Sequence, residues 1–241
     1  MKNGPGLNSD QPGHGFSNCQ PICHEAEATY LAFKQPLHVM VRRVLLAGSG
    51  LMLMAFLVVH LIGVAIAPLA PLQFEHYASA LHQSWWLPVL EGLLLLAAGL
   101  HVSLSLGKTL RNWRAGNQAQ LQSRRGDPLG SWSARLQPVG GLTLLLFIAV
   151  HLKQLRLPRP APGYELVHLI ASLQSPITLT LYGLACLALG LHVVQGGESA
   201  QRSLGVLSPE NAGIIRSTSR AVGLILGLGF AGSAGWLALQ G

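Results

Sequence analysis

Charge is what this sequence has least of. Asp, Glu, Lys and Arg make up 10% of its 241 residues while half of them are hydrophobic, against about a quarter charged in a soluble domain. That balance excludes a water-soluble globular domain. Only nine residues are acidic and the apolar stretches hold no pair of them; the one carboxylate deep enough to serve an intramembrane histidine proton relay is Glu91, near the outer end of its stretch. Apolar and polar residues do not alternate with the period of two that a membrane β-barrel requires. Cysteine is rare too. Cys19, Cys23 and His24 lie close together and could begin a metal site, but a structural zinc ion takes four ligands and no second pair is near. They read as reduced, unligated groups, and Cys186 as a small residue inside an apolar span. The first 38 residues, rich in Gly, Pro, Asn and Gln, contain no apolar run able to form a secretory signal. They are expected to be a polar, flexible segment on the side of synthesis.

What is present is a series of apolar runs, each near the ~20 residues that a helix needs to cross a bilayer. Five spans are expected, at residues 43–67, 88–108, 138–155, 176–195 and 221–239. The backbone must satisfy its own hydrogen bonds in lipid, so the spans are helices. The fold class is therefore an all-α membrane protein, one five-helix bundle from residue 39 to 241.

Basic residues orient the bundle. The segment 68–87 has no Lys or Arg, and Trp85 and Trp86 at its end fit an aromatic interfacial belt, so it belongs outside. Lys108, Arg111, Arg114, Arg124, Arg125 and Arg135 mark an inside segment that serves topology and lipid contact, or a soluble partner as well. Lys153, Arg156 and Arg159 fall outside, leaving 13 of the 16 cations inside. The amino terminus is expected in the cytoplasm and the carboxyl terminus outside. Nothing points to nucleic acid as a partner.

Four of the five spans carry one internal histidine each: His60, His101, His151 and His192. A titratable side chain at hydrocarbon depth faces the bundle interior and by default marks a functional site. Arg43 lies 17 residues before His60 and Arg135 lies 16 before His151, which puts both histidines roughly 24–26 Å from the inside face at ~1.5 Å per residue. Lys108 is only 7 residues beyond His101, and Glu198 only 6 beyond His192, so these two lie roughly 9–11 Å from that face. Two layers result, each with two histidines on different helices. Axial ligation of two stacked haems needs this arrangement, pairing His60 with His151 and His101 with His192. Zinc or copper would need more ligands converging on a point. The fifth span has no histidine and is expected to close the bundle.

Leu90-Glu91 before His101, Leu136-Gln137 and Gly141 before His151, and Ser175-Pro176 with Tyr182 before His192 add local words to that pattern. From about Arg42 onward the chain resembles the five-helix dihaem cytochrome b subunit that anchors succinate dehydrogenases and fumarate reductases. The family's Arg-x-His word at the start of its first span is Arg42-Arg43-Val44 here, and Pro138 stands where an arginine commonly follows Leu-Gln. The resemblance implies a bundle enclosing two b haems, the distal one on His60 and His151, the proximal one on His101 and His192. It implies an electron-transfer subunit of a bacterial-type cell membrane, with dicarboxylate chemistry on partner subunits: an FAD flavoprotein and an iron–sulfur protein on the cytoplasmic side. The electron acceptor or donor in the membrane would be quinone, by analogy menaquinone, near the distal haem. Quinone chemistry needs a proton donor or acceptor there, for which Glu75, His76, His82 and Glu91 are the candidates. Two other classes stay open. One is a haem-free transporter or assembly subunit whose histidines are buried polar contacts. The other is a dihaem cytochrome with two histidines on each of two helices, which one histidine per span disfavours.

Overall fold

The structure, a computed structural model, describes residues 37–116 and 126–241. Cys19, Cys23, His24, Arg124 and Arg125 lie outside the described residues. Seven α-helices and no strand are found among those described: α1 (Leu37–Leu69), α2 (Pro71–His82), α3 (Leu87–Arg114), α4 (Pro128–His151), α5 (Glu165–Leu173), α6 (Pro176–Ser203) and α7 (Ala212–Ala238). Helix α4 continues as one π-helical turn, Leu152–Arg156. Close backbone contacts divide the chain after Val41, within α1, and residues 42–241 form the bundle. The chain is an all-α, multi-pass membrane protein: α1, α3, α4 with its π turn, α6 and α7 are each long and apolar enough to cross a membrane.

Sequence sets the helix ends. Proline opens α2, α3, α4 and α6 at a first-turn position, where its missing N–H costs nothing. Before α4, the Asp127 side chain accepts the Gly130 N–H at 3.0 Å, an N-cap. Beyond α6, Gly205 takes φ +74°, the left-handed conformation in which helices commonly stop. Each long helix overshoots its apolar run. Lys108, Arg111 and Arg114 ride on α3 and Arg135 on α4, so the basic segment expected as a loop is in large part helical. The two connections 68–87 and 153–175 contain α2 and α5. In α5, Leu166, Leu169, Ile170 and Leu173 recur at helical spacing and pack with Phe74 and Ala78 of α2.

Packing is uneven around the bundle. Helices α4, α6 and α7 lie side by side with close backbones, whereas neither α1 nor α3 packs its backbone closely along any other helix. The tightest seam joins α6 to α7. A Cβ at Gly223 would lie 2.7 Å from the Gly190 carbonyl oxygen, and one at Gly227 would lie 3.1 Å from that of Cys186. Gly223 and Gly227 form the small-residue spacing by which membrane helices approach. Helix α7 therefore braces the back of α6. Side chains and rings, not backbones, join α1 and α3 to the rest.

Candidate functional site: two histidine pairs

The two histidines of each layer come together. The rings of His60 on α1 and His151 on α4 have centroids 6.1 Å apart at 81°. Those of His101 on α3 and His192 on α6 are 6.2 Å apart at 65°. With a ligating nitrogen about 2 Å from a shared metal and each ring centre roughly 1.1 Å further back, two opposed imidazoles stand about 6.2 Å apart. Edge-to-face contact between aromatic rings covers the same range, about 4.5–7 Å. The spacing thus permits ligation of one ion without requiring it.

Hydrogen bonding separates these possibilities further. A structural histidine at depth is ordinarily held by a polar neighbour. Neither ring nitrogen of His60 or His192 has a hydrogen-bond partner among the described residues, and Nδ1 of His192 is fully buried. Their opposite numbers are held: Nδ1 of His151 lies 3.0 Å from the Tyr182 hydroxyl, and Nδ1 of His101 lies 3.4 Å from that of Ser49, with the Leu46 backbone also hydrogen-bonded to that ring. In each pair, Nε2 is left as the nitrogen with no assigned neighbour. No group of three or more His, Cys, Asp or Glu side chains converges among the described residues. A bare ion would be under-coordinated at either pair. A macrocycle that supplies four equatorial nitrogens needs only the two axial imidazoles, and the donor set fits it.

The surroundings of the two pairs differ. The outer pair sits among rings: Phe56 stacks on His60 at 5.3 Å, Phe230 of α7 lies 5.6 Å away, and Phe147 is 5.2 Å from His151. The inner pair is flanked by glycine. A Cβ at Gly50 would stand 3.0 Å from Cε1 of His101, and one at Gly141 would stand 3.7 Å from Cε1 of His192. Gly48, by contrast, faces open space, so of these two glycines early in α1 only Gly50 makes the close approach. Gly50 precedes His60 by ten residues, and Gly141 precedes His151 by ten. Two helices thus carry the same device, a glycine for the inner layer and a histidine for the outer, about 15 Å apart along each axis. Between the levels, Leu189, Val193 and Leu226 form an apolar core with Met54, Leu57 and Leu144.

The polar residues expected near a quinone lie at the end of the bundle capped by α2 and α5. Glu75 accepts the Leu166 N–H at 2.7 Å. Arg156 of the π turn grips both carboxylate oxygens of Glu91, and Arg159 lies 3.9 Å from it. His82 Nδ1 lies 3.6 Å from Glu165, a carboxylate buried to 4% exposure, and His76 is exposed. None of these four makes a hydrogen bond, ion pair or ring contact with the paired histidines. Sequence reasoning missed Glu165, Ser49 and the three phenylalanines. The repeated glycine–histidine spacing was there to be found. No family model matches the chain, and neither a curated protein nor a solved structure shows significant similarity to it.

Proposed function

We propose that the chain is a membrane-embedded two-haem electron carrier, with one b haem between His60 and His151 and the other between His101 and His192. One observation carries this reading: each histidine pair comes from two helices that do not pack backbone to backbone there, and one member of each pair has no hydrogen-bond partner for its ring nitrogens among the described residues. A haem-free bundle with structural histidines would be expected to satisfy those nitrogens. Iron in such a group supplies reversible one-electron chemistry at a potential tuned by its axial ligands and its surroundings.

The protein's own contribution is positional. Gly50 and Gly141 clear space beside the inner rings, the Phe56, Phe147 and Phe230 rings exclude water from the outer pair, and the apolar core between the levels keeps the dielectric low. At the inner end, Lys108, Arg111, Arg114, Arg135 and Arg202 offer a basic face to a soluble redox partner. The family resemblance supports a narrower identity, the anchor subunit of a succinate:quinone oxidoreductase in a bacterial-type cell membrane. An iron–sulfur subunit, itself served by an FAD flavoprotein, would then dock on the cytoplasmic face, and menaquinone would react near the distal haem. The amino terminus would be cytoplasmic and the carboxyl terminus outside.

The test is a haem count by pyridine haemochrome with low-temperature EPR on the purified chain or its complex. Two low-spin b haems per chain are expected, one lost in His60→Ala and His151→Ala, the other in His101→Ala and His192→Ala. A folded chain that stays colourless when haem is abundant overturns the proposal.

A further inference from the structure

We infer that two hydroxyl groups position the ligand imidazoles, Ser49 for His101 in the inner pair and Tyr182 for His151 in the outer, and thereby set the two sites' reduction potentials independently. This presupposes the two-haem reading above.

Ser49 is buried on α1, and its single proton is committed, because Oγ donates to the Leu46 carbonyl at 3.1 Å. Toward His101, 3.4 Å away, the same oxygen can only accept. The Leu46 carbonyl also hydrogen-bonds the His101 ring, so two acceptors on α1 favour a proton on Nδ1 and leave the Nε2 lone pair free for a metal. Gly50, next in sequence, lets the ring sit against α1. The serine and the Leu46 carbonyl together favour that tautomer, and the glycine fixes the place.

Tyr182 reaches His151 by a shorter path, 3.0 Å, and its ring is held edge-on by Phe147 at 4.8 Å. It is buried in the core that α2 and α5 complete. No other acceptor for its hydroxyl is found among the described residues, so it can donate to or accept from Nδ1. A metal on Nε2 selects the second arrangement. In both sites, then, one axial imidazole is hydrogen-bonded and the other is bare. Where α1 has Ser49 before Gly50, α4 has Gly140 before Gly141; Gly140 faces Ala188, and Nδ1 of His192 has no hydrogen-bond partner among the described residues. A hydrogen bond from Nδ1–H makes the ring a stronger donor and favours the ferric state. Its removal raises the potential of that site.

Redox titration followed optically and by EPR, on the full chain in membranes, tests this with Tyr182→Phe and Ser49→Ala. Both variants should keep two haems. Tyr182→Phe should raise only the potential of the site lost in His151→Ala, and Ser49→Ala should raise only the other, by less, across its longer contact. Ser49→Thr, which restores a hydroxyl, should return the potential toward the wild-type value. Unchanged potentials, or both moving together, overturn the inference while leaving the two haems in place. Should a variant lose haem, HYSCORE of the 15N-histidine wild type decides instead: two strongly and two weakly hydrogen-bonded rings support the assignment, and four equivalent rings overturn it. A colourless wild type defeats the two-haem reading, and the tuning with it. Even then, the 15N shifts of His101 show whether Nδ1 bears the proton, which tests Ser49 separately.

Discussion

Gly223 of α7 lies against the carbonyl of Gly190 in α6 so closely that a methyl group on Gly223 would stand 2.7 Å from that oxygen. Backbone cannot rotate away as a side chain can. The seam therefore fixes the back of α6, and with it the face from which His192 projects.

Gly223→Ala is expected to cost roughly 1–3 kcal/mol, the range for overpacking a close-packed interface. Gly232 and Gly235 lie on the same helix in open space, and alanine at either should be close to neutral. Unfolding in detergent by SDS titration compares the three. Alanine favours the helix over glycine, so propensity cannot produce a loss, and equal losses at all three would mean that position 223 makes no special demand on the seam.

Gly50→Ala and Gly48→Ala form a second matched pair. The added methyl at position 50 would meet the His101 ring at 3.0 Å and displace it, whereas position 48 has nothing near it. On the two-haem reading, Gly50→Ala should weaken or remove the same haem signal as His101→Ala, with the other haem intact. Gly48→Ala should leave both, and optical spectra of the purified variants suffice to tell.

Asp127 has two tasks, capping α4 through Gly130 and receiving Nη2 of Arg220 on α7 at 2.7 and 2.6 Å. Asp127→Ala loses both and should destabilise the bundle by about 2 kcal/mol, given that an N-cap alone is worth about 1. Asp127→Asn keeps a good cap and should cost less. If the two variants unfold alike, the cap contributes nothing and the ion pair carries the whole effect.

Glu91 and Arg156 tie α3 to the π turn, each side chain a little over a quarter exposed. Fully exposed pairs are worth about 0.2–1 kcal/mol. This one, bidentate and partly shielded, should lie at or above the top of that range. A double-mutant cycle with Glu91→Gln and Arg156→Gln measures the coupling directly. Additive effects would show that the two side chains are neighbours without being partners.

The five long helices were legible because apolar composition over ~20 residues is a cumulative signal that no local irregularity cancels. Their ends were less so, since Lys108 to Arg114 and Gln195 to Ser203 are polar and yet continue α3 and α6, the latter with buried Glu198 held by Arg202 and Arg216. Helix α5 is too short for a span criterion to register, although Leu166, Leu169, Ile170 and Leu173 have the helical period. Depth counting brought His60 to His151 and His101 to His192 because helix rise is nearly constant. It says nothing of rotation about the axis. For that reason the hydroxyls of Ser49 and Tyr182, whose contacts depend on ring orientation, and the stand-off of α1 and α3 could be seen only in three dimensions.

The ten-residue interval from Gly50 to His60, repeated from Gly141 to His151, separates the layers by about 15 Å, or half of a hydrocarbon core about 30 Å thick. A charge crossing the whole core works against about 2.3 kcal/mol for every 100 mV of membrane voltage. An electron passing between the layers would meet about half of that, enough to change its distribution several-fold. On the two-haem reading, wherever a cell holds a voltage across this bundle, the two sites would not share electrons by their intrinsic potentials alone, because the field would weight one against the other.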